Sequence, residues 1–195
     1  MSTTPSRKEQ THERIVAAAA RAIRRAGYEG VGVADVMKEA GLTHGGFYAH
    51  FESRDAMLVE AMQHAGRESA ATLAEHVAAR EAAGESRFRA LVEAYLADEM
   101  LDDVEGGCIV AAVCSEMPRL QDELRDAARR RVLAVIGGVR GALPEGTDSS
   151  RAEMIAATLV GTMQLARTLG GAPGKAMLKR TREALLTEYE SGRTG

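Results

Sequence analysis

The sequence predicts an all-α fold of about nine helices, a three-helix segment at the N-terminus followed by a larger helical body. Three observations carry this. Alanine is abundant, only 4 of 195 residues are proline and tryptophan is absent; alanine has the best helix propensity, and the β-branched residues that favour strands are few. Apolar residues recur at helical period in segment after segment, and no stretch alternates as a half-buried strand would. Glycines and capping residues punctuate the pattern at helix-like intervals. A hydrophobic share of 45% excludes a disordered chain.

Ser6 and Glu9 have capping-box spacing and start the first helix. Ile15, Ala19, Ala22, Ile23 and Ala26 hold one face of it, and Gly27 stops it. Arg14, Arg21 and Arg25 form a stripe on the other side, read as a solvated face. Val33, Val36, Met37 and Ala40 stand at i, i+3, i+4 and i+7 of a short second helix. Gly41 turns the chain, Thr43 is a good N-cap, and a third element runs to about His50 with Phe47 and Phe51 as apolar anchors. Ser53 caps a fourth helix expected to reach about Ala83 and end at Gly84. A fifth spans Ser86 to about Leu101, with a loop from Asp102 to Gly107 and a short helix after it. Pro118 suits a first helical turn, so a longer helix is expected from there to about Leu143. Ser150 and Glu153 repeat the capping-box spacing ahead of a broad apolar face from Met154 to Leu169. Gly170 to Gly174 breaks the chain before a last helix carrying Leu178, Thr181, Leu185 and Tyr189. The division expected is 1–52 and 53–195.

The segment Val31 to Phe51 carries the most information. Two short helices joined by a glycine-containing turn form a helix-turn-helix, whose second helix enters the DNA major groove with its N-terminal residues toward base edges. His44 stands there. Gly45 and Gly46 beside it let backbone lie close to DNA, at a helix cost of about 1 kcal/mol each relative to alanine. Tyr48 and His50 are in place to reach phosphates, which sets register without reading sequence.

These residues resemble the DNA-binding segment of the TetR family of bacterial regulators. The resemblance runs through Gly27-Tyr28, Val33-Ala34-Asp35-Val36, Ala40-Gly41-Leu42-Thr43, the run from His44 to Phe51, and Ser53-Arg54-Asp55. It covers about residues 10–60, and implies a dimeric repressor controlled by a small molecule. By resemblance, Thr43 caps the recognition helix and touches phosphate, and His44 takes a place usually held by a lysine or arginine. Tyr48 and Arg54 match phosphate-binding positions. Gly32 stands where the family commonly has a serine or threonine, so one side-chain contact is missing.

The resemblance also implies a C-terminal ligand pocket and a dimer contact through the last two helices. Pocket candidates are Phe88, Leu91, Tyr95, Met100, Cys108, Met117 and Met163, since methionine-rich walls suit varied apolar or amphipathic ligands. The Met154–Leu169 helix is apolar over more than half its circumference and must be buried on two sides. Leu159, Thr162, Leu178 and Leu185 are the expected interface residues of a homodimer.

Net charge is −3, with 8 basic and 7 acidic residues in 1–55 and 17 and 21 in the remainder, a mildly basic head on an acidic body. No apolar run reaches the length of a membrane span, and residues 1–14 lack the apolar core of a signal peptide. A cytoplasmic protein without cofactor is expected. His64 and His76 have no metal-like spacing, so no metal is assigned. Cys108 and Cys114, six apart, would lie about 9 Å apart on one helix, beyond disulfide reach. Two other readings are a repressor controlled by oxidation of Cys108 and a small helical enzyme with Cys108 as nucleophile. The enzyme reading needs a Cys-His-Asp arrangement, and none is legible at a diagnostic spacing. A third is a small-molecule carrier with an inert DNA module.

Overall fold

The computed structural model describes residues 6–190. They form eight α-helices: α1 (Arg7–Ala26), α2 (Val33–Glu39), α3 (Arg54–Ala82), α4 (Arg87–Tyr95), α5 (Ile109–Val113), α6 (Asp122–Arg140), α7 (Arg151–Leu169) and α8 (Gly171–Glu190). Short 3-10 helices span His44–Ala49, Asp98–Leu101 and Met117–Arg119. Among the described residues there is no strand, and the first 3-10 helix brings the expected helices to nine. The outer five residues at each end of the division into 1–52 and 53–195 lie outside the described residues.

The serine caps at Ser6, Ser53 and Ser86 form. Ser6 Oγ accepts from the Glu9 amide at 3.3 Å, and the Glu9 carboxylate accepts from the Ser6 amide at 2.6 Å. Ser53 and Ser86 take the amides of Ala56 and Arg89. The box expected at Ser150 does not form. Ser150 sits in the cap position with right-handed helical rather than extended backbone angles, and its amide donates to the Asp148 carboxylate at 2.9 Å. Thr43 makes no side-chain cap either. Three boundaries also move. The fifth helix stops at Tyr95, Pro118 lies in a 3-10 turn ahead of α6, and Gly171 opens α8 directly where a break was expected.

Two apolar cores fill the molecule. The first gathers α1, α2, the 3-10 helix His44–Ala49, the first half of α3, α5 and the start of α6 around Ile23, Met37, Phe47 and Met62. The second gathers α4, α7 and α8 around Phe88, Ile155, Leu159 and Leu178. Cys108, Val135 and Val160 pack against both, so the N-terminal helices share packing with the body.

Polar contacts tighten that junction. Arg24, one turn after Ala20 on the buried side of α1, is 3% exposed. Its guanidinium donates to the Ala65 carbonyl at 2.7 Å, the Glu105 carbonyl at 2.5 Å and the Glu68 carboxylate at 2.8 Å. Of the arginine stripe expected to be solvated, Arg21 and Arg25 pair with Glu39, and Arg25 also reaches Glu105. At the end of α1, Gly27 has φ 73°, and a Cβ there would stand 2.4 Å from the Glu116 carboxylate. Glycine therefore satisfies both the backbone angle and the space. Glu116 accepts from the Tyr28 amide at 2.9 Å.

Candidate nucleic-acid interface and inner cavity

The helix-turn-helix is built by α2, the turn at Gly41 and the 3-10 helix. Gly41 takes φ 71°, a left-handed angle that lets the Leu42 amide return to the Met37 carbonyl at 2.8 Å. Phe47 is buried, so the recognition element is held by one side and presents the other to solvent. Thr43, His44 and Gly45 are exposed, and the Tyr48 ring is 73% exposed, edge-on to Phe47. A Cβ at Gly45 would meet nothing within 4 Å among the described residues, and one at Gly46 would only touch Met37. The protein's own packing among the described residues therefore does not require glycine at 45.

Two residues expected at phosphates are differently engaged. His50 is half-buried, with its ring 5.9 Å from His12 and burial lowering its pKa below the usual histidine value. Arg54 turns its guanidinium inward. Nε donates to the Val31 carbonyl at 2.9 Å, Nη2 to the Tyr28 carbonyl, and Nη1 faces Asp55. It clamps the start of α3 to the segment that leads into α2.

A cavity of about 380 Å³ lies in the body, within the range of small-molecule sites. Each long wall supplies residues four apart: Leu73 and Val77 from α3, Leu91 and Tyr95 from α4, Arg131, Val135 and Val139 from α6, and Leu159, Met163 and Arg167 from α7. Residues four apart share one face of a helix, so α4, α6 and α7 each offer one stripe, while α3 lines the cavity over a broader surface that also includes Thr72, Ala74, His76 and Ala78. The segment Gly106–Cys108 and Met100 complete it.

Of the pocket candidates, Leu91, Tyr95, Met100, Cys108 and Met163 line this cavity. Phe88 and Met117 do not. Phe88 packs on Tyr189 in the second core, and Met117 lies in the first. Helical spacing alone gave no means of separating wall from core. Cys108 and Cys114 are free thiols at the two ends of α5.

Arg167 was not legible as a wall residue, because a cation in a last helical turn is ordinary. The available signal was its place four residues after Met163 and eight after Leu159, on an apolar face. Nη2 donates to the Met100 and Asp103 carbonyls, both at 2.9 Å. Burial lowers its pKa, with Tyr95, Cys108 and Asp103 opposing. Burial first, then the neighbouring Cys108, push the Tyr95 phenol well above its usual value, while Arg167 pulls it down. The chain neighbours of Cys108 carry no cation; the fold supplies one from α7.

The expected interface residues are placed differently. Leu159 and Leu178 are 0% exposed, Leu185 5% and Thr162 6%. All four belong to the core of a single protomer, with Thr162 near Thr181 at 3.4 Å. The exposed apolar residues of α7 are Met154, Leu165 and Leu169. With Gly161, whose added Cβ would face open space, they form an exposed stripe flanking the buried face of α7.

Among the described residues, no helix is long and apolar enough to cross a membrane, and no group of three or more histidine, cysteine or acidic side chains could hold a metal.

A sequence model described as "Bacterial regulatory proteins, tetR family" matches residues 15–61, and one described as "Tetracyclin repressor-like, C-terminal domain" matches 84–185. An uncharacterized HTH-type transcriptional regulator of Mycobacterium tuberculosis is 32% identical over 148 residues, 74% of this chain and 69% of that protein. Among solved structures, a TetR-family transcriptional regulator from Cytophaga hutchinsonii superposes with TM-score 0.77 at 19% identity, covering 97% of this chain and 98% of that one. A TetR transcriptional regulator from Chloroflexus aurantiacus gives 0.72 at 23% identity, with 92% and 94% covered.

Proposed function

Since this chain belongs to the tetR family of bacterial regulatory proteins and is a DNA-binding transcriptional regulator, we propose that it acts in the cytoplasm as a homodimeric repressor. A small apolar or amphipathic ligand would release it from operator DNA. One observation carries the reading. A recognition element with Thr43, His44 and Tyr48 exposed around an open Gly45 leads directly into α3, which also lines a cavity in the body. The family and fold are those of transcription regulators rather than enzymes.

In this reading Tyr48 and Thr43 hold phosphate, which fixes register, and His44 reads a base edge. Gly45 and Gly46 bring backbone close to DNA. His50 supports the recognition element from behind, and Arg54 contributes chiefly by clamping α3. With His44 in place of a permanent cation, fewer phosphate charges are neutralised and salt dependence is shallower.

Two physical links couple the sites. The α3 helix is clamped at its start by Arg54 and lines the cavity from Gly66 onward. The segment from Asp103 to Cys108 is held by Arg167 at the Asp103 carbonyl and by Arg24 of α1 at the Glu105 carbonyl. A ligand that displaces this segment therefore acts on α1 directly. Coupling of this kind is worth about 1–3 kcal/mol and is reciprocal, so operator DNA weakens ligand binding by the same factor.

The test is selection of bound DNA from a random pool, then gel shifts with variants. Tyr48→Phe should weaken binding to all sequences alike. His44→Ala should flatten operator preference, at a cost of about 1–3 kcal/mol on the preferred sequence. Unchanged preference in His44→Ala would remove base reading from that residue. A second reading, control by the Cys108 thiol, rests on the proximity of Arg167. Cys108→Ser protein that still releases DNA under an electrophile excludes it.

A further inference from the structure

The cavity walls carry more basic than acidic side chains. Three arginines line it, Arg87, Arg131 and Arg167, against one carboxylate, Glu81, among the described residues. Nε and Nη1 of Arg167 and Nε of Arg131 are buried with no hydrogen-bond partner there. Tyr95 is 8% exposed, and its hydroxyl, although beside the Cys108 thiol, makes no hydrogen bond of adequate geometry. A buried donor left unpaired costs about 1–3 kcal/mol, and more when it is charged. Much of the remaining wall is apolar, including Leu73, Leu91 and Met163.

We propose that the cavity takes an amphipathic anion, a carboxylate or similar singly charged acid on an apolar chain or ring. Its head sits on Arg167 and the Tyr95 hydroxyl, and its body lies among Leu73, Leu91 and Met163. The planar guanidinium offers the donor geometry that a carboxylate accepts. A neutral apolar ligand would leave the same donors orphaned, and a cation would meet like charge. The space also limits the choice, since about 380 Å³ is at the small end for such sites. This rests on the reading of the cavity as the effector site, and it narrows that reading to one ligand class.

Three ten-carbon probes test it by calorimetry on the full chain: decanoate, decanol and decylamine. Wild type should bind decanoate at least about tenfold more tightly than decanol, roughly 1.4 kcal/mol, and decylamine most weakly. Arg167→Gln should bring decanoate down to the level of decanol. Arg167→Lys should restore part of the preference, because the charge returns without the fork. Tyr95→Phe, which removes one oxygen and keeps the packing, should weaken decanoate severalfold and leave decanol unchanged. It also serves if Arg167→Gln fails to fold. The proposal is overturned if decanol or decylamine matches decanoate, if no probe binds, or if the preference survives in both Arg167→Gln and Tyr95→Phe. Operator binding measured in the same samples separates the two ideas. Decanoate bound through Arg167 with operator affinity unchanged keeps the anion site and removes ligand control.

Discussion

Replacing Leu165 with lysine is expected to yield folded monomers that no longer hold operator DNA. Leu165 is 56% exposed on the protomer, midway along an outer stripe of α7 that includes Met154, Gly161 and Leu169. An apolar helix face of this length left in water is a contact surface awaiting a partner. With the homodimer proposed, a two-fold axis would place Leu165 of both copies in the same interface. Each lysine would then bury an unpaired charge, at several kcal/mol. The fold survives, because Leu165 lies outside both apolar cores. Sedimentation should report monomers with unchanged helix content. Operator affinity should fall by about a hundredfold or more, as two linked half-site contacts become one. Leu159→Lys is the informative contrast. Leu159 is 0% exposed in the protomer core, so that variant should lose the fold itself. A Leu165→Lys protein that remains dimeric places the interface elsewhere.

Arg24→Met should lower stability by about 2–4 kcal/mol, although it touches neither DNA nor cavity. Methionine can occupy the volume of the side chain, so the cost is mainly polar. The Glu105 carbonyl loses its donor at 2.5 Å, and the Ala65 carbonyl loses one of its partners. An unmade hydrogen bond at a buried group costs about 1–3 kcal/mol. The pair with Glu68 adds little, since that carboxylate is half-exposed. For a chain of this size the loss corresponds to a fall in Tm on the order of 10 °C. Thermal unfolding followed by circular dichroism measures it. A second consequence follows from position. Arg24 joins α1 to the segment that Arg167 also holds, so residual ligand control of DNA binding should weaken in the same variant. A Tm within about 2 °C of wild type would contradict the burial argument.

The recognition element shows how local information suffices for some features. Gly41 turns the chain because only a left-handed angle closes that corner, and Phe47 with Phe51 anchors the short helix behind it. The turn is set by neighbours within a few positions, and the spacing of the two anchors is local too, although the surface they bury against comes from α1 and α3, with Phe51 stacked on His12. The serine caps at Ser6, Ser53 and Ser86 are local for the same reason. Ser150 shows the limit, because the nearby Asp148 took the amide that its spacing offered.

By itself the sequence determined the all-α class, the placing of the helices to within a few residues, the helix-turn-helix and the two-sided apolar character of α7. Periodicity and capping are short-range physics, and they act before any tertiary contact exists. Only the tertiary structure decided which side of α7 faces its own core, so Leu159 went inside and Leu165 outside. It also decided that Arg24 and Arg167, alike in sequence to solvated arginines, would reach backbone carbonyls 41 to 81 and 64 to 67 positions away. A period states that a helix has a face, but not which other helix will cover it, and a charge is buried or solvated according to partners far along the chain.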